Sequence, residues 1–262
     1  MSNTMKKIIN RQGKALAVQV EGLDNAAVII FSNSLGTDHT MWDEQAAYFN
    51  DNYKVIRYDT RGHGQSEIIE DSTLENLGED VIDILDYLNI SKAHFCGISM
   101  GGITGLWLAA NAADRFETIT VANSAAKIGH AEAWLARADQ IEKEGSAELV
   151  KTTHSRWFSE QFDYQHDALA QQTIHSLAET PARGYALACR ALAYADIRND
   201  LDKISAAILV ICGEKDPVTT IQDGEFIQTR IQNGQLATLD ASHLSNIERP
   251  DEFNQILNKF IS

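Results

Sequence analysis

Ala93-His94-Phe95-Cys96-Gly97-Ile98-Ser99-Met100-Gly101-Gly102-Ile103-Thr104-Gly105-Leu106 is the stretch from which the rest of the chain is read. Residues 93–98 form a short apolar run of strand length, and the pattern that continues through Leu106, Leu108 and Ala110 is helical. Between them, Gly97-Ile98-Ser99-Met100-Gly101 matches G-x-S-x-G in the strand–turn–helix setting that the motif requires. Such a turn is so tight that its serine is held in a strained backbone conformation, and glycines on both flanks prevent collisions across it. The serine oxygen then stands at the start of a helix, where unpaired N–H groups and the helix dipole favour negative charge.

Outward from this turn, apolar runs alternate with helical patterns. Strands are predicted at 15–20, 26–32, 54–58, 117–122, 207–212 and 236–239. Leu74, Leu77, Val81, Ile84, Leu85 and Leu88 recur at spacings of three and four, one helix face that can cover a sheet. Further helices are predicted at 221–231 and through Phe253, Ile256, Leu257 and Phe260. This alternation predicts an α/β chain with a mostly parallel central sheet flanked by helices. Between 128 and 200 the strand signal vanishes and a helical pattern takes over. Because the sheet resumes afterwards, residues 1–127 and 201–262 are read as one core and 128–200 as an inserted helical cap.

The 262 residues carry 22 basic and 37 acidic side chains, a formal net charge of -15. That balance argues against nucleic acid and anionic membrane surfaces, which attract Lys and Arg patches, and points to a small-molecule ligand. Acidity of this size also serves solubility alone. Cys96, Cys189 and Cys212 are odd in number, widely spaced and without a C-x-x-C pair, which reads as free thiols in a reducing compartment. Lys6-Lys7 is followed by no apolar stretch of signal-peptide length, and no later run approaches the roughly 20 apolar residues of a membrane span. The expected location is the cytoplasm.

A serine hydroxyl is a weak nucleophile until a neighbouring base takes its proton. Of eight histidines, His243 lies in the loop Ala241-Ser242-His243-Leu244-Ser245-Asn246, after the last predicted strand and before the terminal helix. That late position satisfies the chain order nucleophile, acid, base. Asp216, in Gly213-Glu214-Lys215-Asp216-Pro217, follows the strand at 207–212 and can hold the imidazole tautomer and stabilise the imidazolium. The other place for the acid, after the strand at 117–122, holds Asn123 and Ser124, neither a carboxylate.

These residues resemble the α/β-hydrolase superfamily over nearly the whole chain. Asp59-Thr60-Arg61-Gly62-His63-Gly64-Gln65-Ser66 resembles its D-x-R-G-x-G-x-S motif, an architectural turn in which His63 is expected to order the loop rather than to catalyse. The resemblance implies an oxyanion hole from the N–H of Met100 and an N–H from the loop Ser32-Asn33-Ser34-Leu35-Gly36, with Leu35 as donor. Many relatives have His-Gly where this chain has Asn33-Ser34.

Four dispersed segments narrow the resemblance to the 3-oxoadipate enol-lactonases of protocatechuate and catechol catabolism. They are the run from Ser32 through Thr37-Asp38 with Met41-Trp42-Asp43, Asn123 through Gly129, Ser155-Arg156-Trp157-Phe158, and Arg198-Asn199-Asp200-Leu201. The implied reaction is ring opening of a carboxylate-bearing enol-lactone, with no cofactor and no metal. A carboxylate entering so acidic a protein needs local positive charge. Arg137, Arg156, Arg183 and Arg190 lie in the cap, with Trp134 and Trp157 as candidate apolar walls; Trp134, Arg137 and Trp157 are the expected substrate contacts. A general carboxylesterase, a cofactor-free perhydrolase and a ligand-binding receptor on the same fold remain alternatives, since one fold hosts many chemistries. Oligomeric state is left open.

Overall fold

The computed structural model describes residues 5–262; the part of the amino-terminal reading that falls on residues 1–4 lies outside the described residues. The chain runs through β1 (Met5–Ile9), β2 (Ala15–Gly22), β3 (Val28–Ser32), α1 (Asp43–Phe49), β4 (Lys54–Tyr58), α2 (Leu74–Tyr87), β5 (Ala93–Ile98), α3 (Met100–Asn111) and β6 (Phe116–Ala122). Four helices follow, α4 (Ala131–Glu144), α5 (Ala147–Trp157), α6 (Ala168–Glu179) and α7 (Ala182–Tyr194). The sheet then resumes with β7 (Ala207–Gly213), α8 (Ile221–Arg230) and β8 (Asn233–Leu239), and the chain closes with α9 (Ser245–Glu248) and α10 (Pro250–Ile261).

The strands form one eight-stranded sheet in the order β1-β2-β4-β3-β5-β6-β7-β8. β2 is antiparallel to both neighbours, and every pairing from β4 through β8 is parallel. A parallel strand covered on both faces needs a continuous apolar run, and β3 and β5 are buried at every residue. In the centre Ile30 sits beside Ile56 on one side and Phe95 on the other, all fully buried. Burying each such side chain contributes about 1.5–3 kcal/mol.

α3 is buried nearly all round, as a helix between sheet and other helices must be, whereas α2 buries one stripe that includes Leu77, Val81, Ile84 and Leu85. α2 begins at a capping box between Thr73 and Asn76. The Asp59–Ser66 turn is fastened to α2 by a buried, two-pronged ion pair from Arg61 to Asp80, at 2.7 and 2.8 Å. α1, α9 and α10 pack together and reach the sheet at β4, β6 and β8.

β1 and α1 were not expected from the sequence. β1 exposes Lys6 and Lys7 at the sheet edge and buries Ile8, which leaves too short an apolar signal to read. β3 begins at Val28, two residues inside the predicted 26–32, and β8 begins at Asn233, ahead of the predicted 236. The extra residues of β8 are half-exposed edge positions without an apolar pattern.

Between β6 and β7, α4 packs along α7, α5 packs on α6, and α6 rests on the turn His39–Trp42. Arg183 and Arg190 of α7 both pair with Glu142 of α4. All three cysteines are free and buried. Among the described residues no helix is long and apolar enough to cross a membrane.

Candidate active site

The turn after β5 has the geometry its glycines imply. Ser99 stands at φ 57, ψ -112 immediately before α3. A Cβ on Gly97 would lie 2.2 Å from the Gly101 carbonyl oxygen, and one on Gly101 would lie 2.3 Å from the Ser32 carbonyl oxygen, so neither position admits a side chain. The Ser99 N–H donates to the Ala122 carbonyl at 3.0 Å and its own carbonyl accepts the Ser124 hydroxyl at 2.7 Å, which fixes the strained residue to the end of β6.

Loops at the carboxyl ends of five strands converge here, as open α/β sheets arrange their sites. After β7 comes Asp216 and after β8 comes His243, both buried, with Nδ1 of the imidazole 2.8 Å from Asp216 Oδ2. Thr219 Oγ1 at 2.8 Å and Asn123 Nδ2 at 3.1 Å also donate to Oδ2, while the N–H groups of Val218 and Thr219 donate to Oδ1 at 2.7 and 3.1 Å. Burial opposes ionisation of Asp216, but the His243 ring and the backbone donors outweigh it and hold the carboxyl below its ordinary value. The result is a buried carboxylate aimed at one nitrogen of an imidazole whose other nitrogen has no hydrogen-bond partner among the described residues.

Ser99 and His243 line one cavity of about 80 Å³ together with Ser34 and Leu35 of the loop after β3 and with Arg137 of α4, Arg156 and Trp157 of α5 and Tyr185 of α7. The N–H of Leu35 has no protein acceptor among the described residues. Met100 occupies the first position of α3, where an N–H has no intrahelical acceptor. The Leu35 loop is braced by His63: its Nε2 accepts the Gly36 N–H at 3.1 Å and its Nδ1 donates to the Arg61 carbonyl at 3.2 Å. Burial pushes the His63 pKa down, which keeps the ring neutral and able to accept.

The arginines of α4, α5 and α7 divide into two kinds. Arg183 pairs with Glu70 and Glu142, and Arg190 pairs with Asp139 and Glu142, all on the surface. Arg137 and Arg156 line the cavity and have no carboxylate partner among the described residues. Burial first, and the charge of Arg137 second, push the Arg156 pKa down. Two cations without a carboxylate partner among the described residues beside the serine have the donor chemistry to accept an anion.

Trp157 lines the cavity with these arginines, whereas Trp134 does not. The Trp134 indole N–H is committed to the Ile128 carbonyl at 2.6 Å, and its ring carries the Arg137 guanidinium at 4.9 Å from the centroid. Its contact with the cavity runs through Arg137. Sequence reasoning passed over Tyr185, Leu177, Thr153 and Val218 as cavity walls and Glu248 as a brace. Glu248 accepts the Ser242 N–H at 2.9 Å and the Ser159 N–H at 3.1 Å. No sequence pattern distinguishes that glutamate from a surface one.

Among the described residues Asp38, His39 and Asp59 bring candidate metal-ligand atoms within 4.8 Å of one another. Their oxygens already serve protein donors: Asp59 accepts the His39 and Gln65 N–H groups and His39 Nδ1, while Asp38 accepts Thr40 and Ser176. The cluster orders the turn ahead of α1.

Residues 27–250 match the family model of the alpha/beta hydrolase fold. The chain is 62% identical to 3-oxoadipate enol-lactonase 1 of Acinetobacter baylyi, over 97% of this chain and 96% of that protein. It is 47% identical to 3-oxoadipate enol-lactonase 2 of the same organism, over 95% and 94%. The crystal structure of the enol-lactonase from Burkholderia xenovorans LB400 superposes with a TM-score of 0.94 at 38% identity, covering 98% of this chain and 99% of that one.

Proposed function

We propose, on the premise that the chain belongs to the α/β-hydrolase family, that it opens the lactone ring of 3-oxoadipate enol-lactone to give 3-oxoadipate through Ser99, His243 and Asp216. It is a hydrolase, and its similarity to enol-lactonases supports a lactone as the bond cleaved. The observation that carries the finer reading is the one cavity lined by Ser99, His243, Leu35 and two arginines that have no carboxylate partner among the described residues. It supports reading Ser99 as nucleophile, His243 as base and the two arginines as the receptor of a carboxylate on one small molecule.

In this reading His243 takes the Ser99 hydroxyl proton on Nε2 while Nδ1–H remains on Asp216. Ser99 Oγ bonds to the lactone carbonyl carbon, and the N–H groups of Met100 and Leu35 receive the oxyanion. Collapse of the tetrahedral centre breaks the ring C–O bond, and the leaving enol oxygen takes the proton from His243. Still tethered to the acyl chain, the enol tautomerises to the ketone. Water deprotonated by His243 then attacks the acyl carbon, and Ser99 departs with its proton as 3-oxoadipate is released. No metal or organic cofactor enters these steps. Residues 128–200 act as the cap, with Arg137 and Arg156 holding the free carboxylate and Trp157 walling the ring.

The test is the ultraviolet decay of freshly generated enol-lactone with the purified protein, beside Ser99→Ala and a neutral aryl ester. Fast decay lost in Ser99→Ala, with slow aryl-ester cleavage, is expected. Cleavage of the aryl ester with no effect on the enol-lactone would overturn the substrate and leave the triad standing.

A further inference from the structure

Asn123 sits at the carboxyl end of β6, the second place the sequence offered for the acid, and is 1% exposed. Its backbone lies in the left-handed region at φ 43, with its N–H on the Ile211 carbonyl at 2.7 Å. Its side-chain Nδ2 donates to Asp216 Oδ2 and to the Ser242 carbonyl, each at 3.1 Å, and its Oδ1 accepts the Ser245 hydroxyl at 2.6 Å. One amide therefore joins Asp216 to residues on both sides of His243.

We infer that Asn123 is a positioning residue of the triad, holding the Asp216 carboxylate and the His243 loop in register with each other. The inference rests on the reading of Ser99, His243 and Asp216 given above. Asp216 and His243 lie in loops after different strands, and the Val218 and Thr219 donors orient the carboxylate relative to its own loop, not to the His243 loop. A group that donates to the carboxylate and also binds the backbone before His243 ties that carboxylate to the His243 loop. The group must be neutral: a carboxylate there would repel Asp216 and a cation would compete with the imidazolium. An apolar residue would leave the Ser242 carbonyl and Ser245 hydroxyl short of a partner in a buried site. The titratable groups facing position 123 are Asp216 and His243. Beyond them lie Cys212, whose thiol is pushed up to about 12 by burial and then by Asp216, and Glu248 on the Ser242 N–H.

The experiment is steady-state kinetics of Asn123→Ala, Asn123→Gly, Asn123→Asp and Ser245→Ala, with Ser99→Ala alongside, on the enol-lactone and on p-nitrophenyl acetate. Glycine accepts the positive φ, so Asn123→Gly removes the amide and keeps the backbone. The Ala and Gly variants are expected to lose about 10- to 100-fold in kcat, the rate equivalent of a hydrogen bond to a charged group, while KM changes less than about twofold. Ser245→Ala, which removes one anchor of the amide, is expected to lose less. For Asn123→Asp the ratio of kcat/KM to wild type should rise as pH falls, because a protonated carboxyl donates where the amide did and an ionised one cannot. Wild-type kcat in Asn123→Gly, a pH-independent ratio for Asn123→Asp, or a loss that vanishes once rates are divided by the folded fraction from circular dichroism would each overturn the inference. Full activity in Ser99→Ala would instead sink the triad reading beneath it, so the two failures are distinguishable.

Discussion

The backbone N–H of Leu244 donates to the Trp157 carbonyl at 3.0 Å, so the residue after His243 is hydrogen-bonded to the last residue of α5. The Glu248 carboxylate reinforces this junction, binding Ser242 N–H on one side and both the N–H and the hydroxyl of Ser159 on the other. Trp157 and Arg156 are thereby fixed to the His243 loop although they belong to α5, far from it in sequence. Glu248→Ala should cost about 2–4 kcal/mol in urea unfolding, because it leaves buried donors unsatisfied. Glu248→Gln, which keeps one acceptor, should lose less. A wild-type urea midpoint for Glu248→Ala would show that the junction holds without its carboxylate.

Arg137 and Arg156 line the cavity as cations without carboxylate partners among the described residues, donors still open to an anion. Arg156→Met should lower kcat/KM for the carboxylate-bearing lactone about 10- to 100-fold, the worth of one charge-assisted hydrogen bond. Neutral p-nitrophenyl acetate should be cleaved at close to the wild-type rate. An equal loss on both substrates would move Arg156 from substrate binding to packing.

Glu142 carries two arginines at once, and hydrogen bonds first from Arg190 and then from Arg183 hold its pKa down to about 2, below an ordinary 4.5. A carboxyl depressed in the folded chain contributes stability in full above its unfolded value and loses it as pH falls through its folded one. The α4–α7 pairing should therefore weaken between about pH 4.5 and 2. Glu142→Gln should be less stable than wild type at pH 7, and the gap should close as pH approaches 2. Urea midpoints across that range measure it; a gap that persists to pH 2 would assign the effect to packing. All three side chains remain partly solvated, so the gap is expected to be small.

Local signals made most of this architecture readable. The turn at Ser99 announces itself because its chemistry is confined to five consecutive residues, and the central strands are legible because burial on both faces demands unbroken apolar runs. β1 and α1 were missed for the opposite reason, being a lysine-bearing edge and a seven-residue helix. Trp134 illustrates a different limit: sequence placed its backbone near the site, but the direction of its ring is decided by the Ile128 carbonyl. The bonds from Asn123 to Asp216 and Ser242 span 93 and 119 positions. They exist because β6, β7 and β8 are neighbours in the sheet, an order that no local pattern states.

That convergence makes Asp216 the most sensitive position to an isosteric change. Five donors meet its two oxygens: His243 Nδ1, Thr219 Oγ1 and Asn123 Nδ2 on one, the N–H groups of Val218 and Thr219 on the other. In Asp216→Asn an amide NH₂ must face one of these sets. Facing the first, it meets the Asn123 amide and turns the imidazole to the tautomer whose Nε2 already bears a proton, which removes the base. Facing the second, it abuts two backbone donors that cannot move. The expected outcome is a fall of about 10³- to 10⁴-fold in kcat with KM little changed, as befits loss of the correct tautomer rather than of substrate contacts. Asp216→Asn should also recover rate as pH rises, since hydroxide can replace the missing base. A decrease of tenfold or less across pH 6–9, with the variant folded by circular dichroism, would mean that Asp216 is not the residue that orients His243.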